Sequence, residues 1–307
     1  GKGGFGTTVR AFRERRIGSA SIRDEFAIKI FHDTLIERPD KRDRLIGEIL
    51  TLRSLQHPNL VRYLDCGVDD INGKVYLVME LCQGGDLTSL CTRLGAMREA
   101  VALRILLQVC AGLEEAHRNG FVHRDLKPSN ILMWEPLPDG AGVDWFSSSV
   151  EQGLLRFKVV DFGLVGRLDD ENGFREGFFG SPMFASPEQV RQQILDARSD
   201  IYSLGMTFWY LLMGKGPLQS RSSGGTIQKR NDALMRHTDP APHDADFPEG
   251  VSDGVRALLS RMVAKDRELR FGSVRQVAAE IQSLLGIHGG PLIDWAGSST
   301  GSPTQKS

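Results

Sequence analysis

Three side chains of complementary chemistry fall close together in the run G-F-V-H-R-D-L-K-P-S-N, from Gly120 to Asn130: the carboxylate of Asp125, the ammonium of Lys127 and the amide of Asn130. Pro128 and the lack of a helical apolar period mark this run as a fixed loop, so the three groups converge on one spot. An acceptor carboxylate, a cation and a metal-seeking amide at that spacing suit transfer of an anionic group, whose barrier is mostly a matter of charge placement. At the start of the chain, Gly1-Lys2-Gly3-Gly4-Phe5-Gly6 fits G-x-G-x-x-G, a pattern shared with dinucleotide-binding folds. There the third glycine opens a helix. Here Thr7 to Phe12 is β-branched and alternating, which reads as the second strand of a hairpin. A hairpin tip without bulky Cβ atoms can lie over phosphates and offer them backbone N–H groups. In Phe26-Ala27-Ile28-Lys29-Ile30, Ala27 and Lys29 share one strand face, so a small apolar roof and a cation point into the same cleft.

The elements that must carry these groups follow in order. Leu45, Ile46, Ile49 and Leu52 recur at helical spacing between Asp40 and Gln56, with Asp40 placed to cap the start. Glu48 borders the apolar stripe, from where it can reach back to Lys29. Strand patterns run from Leu60 to Cys66 and from Lys74 to Glu80, separated by a turn-rich piece. A long amphipathic helix is expected from Ala96 to Arg118, ended by Asn119-Gly120, and it presents the loop described above. The piece from Trp134 to Gln152 is rich in Pro, Gly and Ser and reads as a solvent-exposed, partly disordered insertion before a strand from Leu155 to Val160. Asp161-Phe162-Gly163 ends that strand; a carboxylate there suits Mg²⁺, which takes hard oxygen ligands. Asp200 opens a strongly apolar helix to Met213. Further helices are expected at Thr226 to His237, Ser252 to Ala264 and Ser273 to Leu285, the last with a capping box from Ser273 to Gln276.

Taken together, these runs resemble the catalytic domain of eukaryotic-type (Hanks-type) serine/threonine protein kinases. The resemblance rests on A-x-K at Lys29, E-I-x-x-L-x-x-L-x-H-P-N-L from Glu48, H-R-D-x-K-x-x-N ending at Asn130, D-F-G at Asp161 and G-S-P-M-F-A-S-P-E ending at Glu188. It implies an α+β bilobal fold with a small β-rich N-lobe (1–80), a hinge (80–85) and a larger, mostly α-helical C-lobe (86–286), followed by a linker or disordered tail (287–307). It also implies ATP and Mg²⁺ as cofactors and a protein Ser or Thr hydroxyl as acceptor. Asp125 would then orient and accept the proton of that hydroxyl, Lys127 would neutralise the transferring phosphoryl group, and Lys29, held by Glu48, would hold the α- and β-phosphates. Asn130 and Asp161 would hold metal. Gly1, Gly3, Gly6, Thr8, Ala27, Met79 (the gatekeeper), Glu80, Cys82 and Leu132 would surround the nucleotide, and Asp86 would bind the ribose hydroxyls. Arg270 corresponds to the family's arginine that pairs with Glu188, and Asp200 to the aspartate that braces the catalytic-loop backbone. Lys127 and Ser181-Pro182 resemble Ser/Thr rather than Tyr kinases.

There are departures from the family pattern. Thr8 stands where Val usually covers the adenine. Between Gly163 and Gly180 there is no Ser, Thr or Tyr, so Glu176, or the Asp169-Asp170-Glu171 cluster, is expected to stand in part for an activating phosphate facing Arg124. The chain opens on Gly1 within the glycine run, which suggests that a first strand precedes it.

Composition narrows the partners. With 38 Lys plus Arg against 39 Asp plus Glu in 307 residues, there is no charge excess to favour nucleic acid, so phosphate binding must be local. The cysteines, Cys66, Cys82, Cys91 and Cys110, have no zinc-ligand spacing and read as reduced thiols of a cytoplasmic chain or cytosolic domain. No stretch has the length of a membrane span. A pseudokinase would have lost Lys29, Asp125 or Asp161, and all three are present. A small-molecule phosphotransferase would lack the S-P-E element and the Asp200 helix.

Overall fold

The computed structural model describes residues 2–3, 6–32, 39–71, 73–162, 183–191, 193–214, 247 and 250–287. The alternating runs near the N-terminus form an antiparallel sheet of β1 (Lys2–Gly3), β2 (Gly6–Ile17), β3 (Ala20–Phe31), β4 (Tyr63–Val68) and β5 (Val75–Glu80), in the order β1-β2-β3-β5-β4. β2 and β3 stay in register from Gly6↔Phe31 to Ile17↔Ala20, well beyond the strands expected from Thr7 to Phe12 and from Phe26 to Ile30. The extension is held by charge rather than by apolar alternation. Arg10 pairs with Glu25 and Arg15 with Asp24, and the Arg23 guanidinium lies 3.9 Å from the Phe12 ring centroid. Against this sheet packs α1 (Pro39–Leu52), with Leu45, Ile49 and Leu52 buried. Asp40, expected to cap this helix, lies within its first turn. The helix also ends before Gln56, because the chain tightens into a turn in which Ser54 N–H donates to the Thr51 carbonyl.

The rest of the described chain is mostly helical and forms the second lobe. α2 (Leu87–Leu94) is a separate helix that periodicity did not reveal, and α3 (Glu99–Arg118) accordingly begins later than Ala96. α3 is buried on nearly all sides and packs against neighbours in the same lobe. Gly112 allows its close approach to the sheet-lobe connection, since a Cβ there would come within 2.8 Å of the Asn59 carbonyl oxygen. Next come β6 (Ile131–Met133), α4 (Val143–Glu151), β7 (Phe157–Val159), α5 (Pro187–Val190), α6 (Ala197–Met213), α7 (Asp253–Met262) and α8 (Val274–Leu284). Ser252 and Ser273 cap α7 and α8 as their sequence positions predict. The capping box is shifted by one residue: Gln276 Oε1 accepts from Gly272 N–H rather than from Ser273.

The insertion is not the exposed, partly disordered segment expected from its composition. It contains α4, whose Phe146 is 1% exposed and meets the Phe157 ring edge-on at 6.4 Å between centroids, while Trp145 stays 41% exposed. The segment folds because Phe146, Val150 and Leu155 supply enough apolar surface to cover α3 and β7. The expected helix from Thr226 to His237, the tail from residue 288, Gly1, Gly163, the Glu176 and Asp169-Asp170-Glu171 substitutes and Ser181-Pro182 all lie outside the described residues.

Candidate active site

The loop predicted to carry chemistry hangs between α3 and β6, and a buried carboxylate fixes its backbone. Asp200, in the first turn of α6, accepts His123 N–H at 2.7 Å on Oδ2 and Arg124 N–H at 2.9 Å on Oδ1. The His117 ring on α3 reaches the same Oδ2 at 2.8 Å. Burial would push the Asp200 carboxyl up, but the His117 hydrogen bond and the surrounding donors outweigh this and hold it below the usual range. The brace acts where the backbone is strained: Arg124 has φ of 63°, a left-handed conformation that non-glycine residues seldom adopt. Gln189 on α5 donates to the Arg124 carbonyl at 2.5 Å, tying the loop to the S-P-E element. Glu188 of that element is buried in a bidentate pair with Arg270, at 2.7 and 2.9 Å, and takes a third bond from Ser199 Oγ.

Within this frame the predicted side chains meet. Lys127 Nζ lies 2.6 Å from Asp125 Oδ2. Asn130 Nδ2 donates to the Asp125 carbonyl at 2.8 Å and approaches Oδ2 at 3.3 Å, which turns the amide's oxygen, its only acceptor, away from Asp125. The Asn130 carbonyl accepts from Val160 N–H, placing the loop beside Asp161. Across the cleft, Lys29 Nζ is 2.8 Å from Asp161 Oδ1, and the Lys29 side chain is almost wholly buried. Asp161 also has positive φ, 61°. His123 donates to the Val160 carbonyl, and its ring sits 4.8 Å from that of Phe162. The site thus holds two carboxylate–ammonium pairs, Asp125 with Lys127 and Asp161 with Lys29, whose backbones are linked through the Asn130–Val160 bond.

The residues expected around a nucleotide divide into groups. Thr8 pairs with Lys29 in the β2–β3 ladder and so shares its face, and Ala27 pairs with Met79, both buried at the back of the cleft. Gly6 is held against β3, where a Cβ would collide with the Ile30 carbonyl. Gly3 pairs with Gly6 in the β1–β2 ladder. Leu132 lies on β6, half-buried, bridged to Asp86. Glu48 is half-buried on α1, on the turn next to Leu45 and Ile49.

Two of the expected nucleotide contacts have structural duties that the sequence did not reveal. Asp86 caps α2, its Oδ1 accepting Ser89 N–H and its Oδ2 accepting Ser89 Oγ–H, both at 3.0 Å. Glu80 Oε1 takes Lys158 Nζ at 2.6 Å and Arg62 N–H at 2.9 Å, so its side chain points into the lobe junction. Cys82 follows between β5 and α2, half-buried, and burial, followed by the Glu80 charge, pushes its thiol up to about 12. All four cysteines are free.

The donor set fits a divalent ion of the magnesium kind. Asp161 and the Asn130 amide oxygen are hard oxygen ligands, and few protein ligands are needed where phosphate and water complete the shell. Among the described residues there is no cluster of three His, Cys, Asp or Glu that would form a self-contained cage for another metal.

Comparison with known proteins supplies the class. Residues 1–282 match the protein kinase domain family. The chain is 31% identical over 289 residues to the serine/threonine-protein kinase pkn3 of Myxococcus xanthus, covering 92% of this chain and 48% of that protein. It is 35% identical over 245 residues to the serine/threonine-protein kinase ATG1a of Arabidopsis thaliana, with 77% and 35% covered. Against the human serine/threonine-protein kinase Nek2 it is 31% identical over 232 residues, with 73% and 46% covered. The kinase domain of Mycobacterium tuberculosis PknI, solved as a double mutant, superposes with a TM-score of 0.63 at 22% identity, covering 93% of both chains, and thus shares the bilobal fold. This chain belongs to the protein kinase family. It spans less than half the length of each of these three curated relatives.

Proposed function

We propose that this chain is the catalytic domain of a serine/threonine protein kinase, which transfers the γ-phosphoryl group of Mg-ATP to Ser or Thr hydroxyls of proteins on the cytosolic side of the cell. The observations that support the reading are the contacts of Lys127 and Asn130 with Asp125 on one loop and the pairing of Lys29 with Asp161, with the Asn130 carbonyl bonded to Val160 N–H beside Asp161. In this reading Asp125 receives the acceptor hydroxyl, orients its oxygen toward the phosphorus and takes its proton. Lys127, beside Asp125, offsets charge on the moving phosphoryl group, and Lys29 positions the α- and β-phosphates with Glu48 as its orienting partner. Asn130 and Asp161 would hold Mg²⁺, which when bound offsets negative charge on the phosphate oxygens. Gly1, Gly3, Gly6, Thr8, Ala27, Met79, Glu80, Cys82 and Leu132 form the expected nucleotide envelope. Asp86 would accept the ribose hydroxyls on the lone pairs that its two cap bonds to Ser89 leave over. The kinase unit is read as residues 1–286, with 287–307 as a linker.

The test is incubation with labelled ATP, Mg²⁺ and a generic protein substrate, followed by phosphoamino-acid analysis. Label on serine and threonine that disappears with Asp125→Asn supports the reading. Equal label with both proteins would assign the signal to a contaminant, and label on tyrosine alone would overturn the acceptor class.

A further inference from the structure

We propose that Gln189 is a positioning residue for Asp125: its side-chain amide holds the carbonyl of the Arg124–Asp125 peptide and so sets the direction in which the Asp125 carboxylate leaves the loop. The proposal rests on the reading of Asp125 as the group that receives the acceptor hydroxyl. Asp125 closes a tight three-residue turn. Its N–H donates to the His123 carbonyl at 2.9 Å, two residues back, around Arg124 with φ of 63°. A turn of this kind is rare and strained for a residue with a Cβ, so it persists only where neighbours hold it. On its N-terminal side the hold is Asp200, which accepts from His123 N–H and Arg124 N–H. On its C-terminal side it is Gln189, whose Nε2 donates to the Arg124 carbonyl at 2.5 Å. That carbonyl and the Asp125 N–H belong to one rigid peptide plane, so bonds at both ends fix the plane from which Asp125 projects.

The donor is itself firmly placed. Gln189 is buried on α5, which Ser186 caps and which Glu188 anchors to Arg270 and Ser199. The spacing Ser186-x-x-Gln189 is that of a capping box, in which the glutamine would turn back to the first N–H of its own helix. Its amide nitrogen reaches instead to a carbonyl 65 positions away in the chain. Lys127 and Asn130 also touch Asp125, but they stand on the same loop and move with it. Gln189 and Asp200 hold the turn from outside. The chemistry of the place asks for a neutral donor. A leucine or methionine would fill the slot and offer the buried carbonyl no N–H, and a carboxylate would set two oxygens against each other.

Gln189→Met keeps the bulk and removes the donor, whereas Gln189→Glu keeps the shape and donates only when its carboxyl is protonated. Burial and the facing carbonyl push that carboxyl up, so the bond returns as the pH falls. In protein free of nucleotide and metal, the Asp125 amide ¹⁵N resonance reports on the peptide that Gln189 holds. It is expected to shift in the Met variant and, in the Glu variant, to move back toward its wild-type position between about pH 8 and about pH 5. In the active protein kcat is expected to fall about tenfold to a hundredfold in the Met variant at every pH, with the ATP KM within about twofold of wild type. The Glu variant is expected to recover kcat over the range in which its resonance returns. The titratable and charged groups around the turn, His117, His123, Arg124, Glu188 and Asp200, are common to all three proteins, so each rate is read as a ratio to wild type at the same pH. An unshifted resonance, or a kcat within about threefold of wild type, in the Met variant would overturn the proposal. So would a Glu variant whose rate ratio does not change with pH, since that marks a packing role. Because the resonance is read without ATP, it decides the hold on the peptide even if the wild-type protein transfers no phosphoryl group, a result that would overturn the functional reading and not the hold.

Discussion

At the scale of single residues, the groups with the largest energetic leverage are those whose charge is buried against a partner. Glu188 is one. Burial acts to raise its pKa, but the hydrogen bonds and charge of Arg270 and the Ser199 hydroxyl outweigh it and lower the value from 4.5 to about 2. A carboxyl depressed in the folded state adds stability that is complete above its unfolded value near 4.5 and is lost as pH falls from there toward 2. The amount is at most roughly 3 kcal/mol. Glu188→Gln is therefore expected to flatten the loss of stability between about pH 5 and pH 2, measured as urea midpoints at each pH. Arg270→Ala, which leaves the Glu188 charge buried without its bidentate partner, is expected to cost about 3–5 kcal/mol in the same measurement at neutral pH. An Arg270→Lys protein should lie between, because an ammonium cannot reproduce the two parallel bonds. This pairing was legible in the sequence through family resemblance. The His117 contact to Asp200 and the Gln189 bond to Arg124 were not, because they join residues more than sixty positions apart and neither histidine nor glutamine carries a local signature.

At the scale of elements, composition misjudged the insertion. Pro, Gly and Ser between Trp134 and Gln152 suggested a solvated loop, yet Phe146 fills a slot over α3 and β7. Composition counts residue types but cannot tell whether a few apolar side chains find a surface. Phe146→Ala is expected to destabilise the fold by about 3–5 kcal/mol, whereas Trp145→Ala, on the exposed side of the same helix, should change it by no more than about 0.5 kcal/mol. Thermal unfolding of the two variants separates an ordered from a disordered insertion: equal, negligible shifts would restore the disordered reading. The β2–β3 hairpin shows the converse. Its outer half is charged, so apolar alternation stopped at Phe12, but ladder pairing continues to Ile17. Arg15→Ala there should cost less than about 1 kcal/mol, since its pair with Asp24 is half-exposed and screened by solvent.

At the scale of the whole molecule, the two lobes were legible from motif order, while the contacts that join them were not. The junction is polar and buried. Lys158 of β7, 5% exposed, donates to Glu80 at the end of β5 and to the Leu60 carbonyl, with its ammonium 4.7 Å from the Trp134 ring centroid. Asn59 adds bonds to Gln108 and to the Phe157 carbonyl. In the sequence Lys158 is one of two cations, with Arg156, in the strand read from Leu155 to Val160, and nothing local marks it out, since its partner lies on the other lobe. Lys158→Ala is expected to destabilise the protein by about 3–5 kcal/mol by stranding the Glu80 carboxylate, and combining Lys158→Met with Glu80→Gln should recover most of that loss in thermal unfolding.

In the proposed reading the lobes matter because together they would bring Lys29 and Asp161 opposite the loop of Asp125, Lys127 and Asn130. The most direct test of that arrangement is the single-turnover rate of γ-phosphoryl transfer at saturating Mg-ATP, compared between wild type and Asp125→Asn. Loss of the carboxylate is expected to slow transfer by about 10²–10⁴-fold while nucleotide affinity stays within about twofold. A variant that transfers phosphoryl groups within about threefold of the wild-type rate would contradict the role assigned to Asp125.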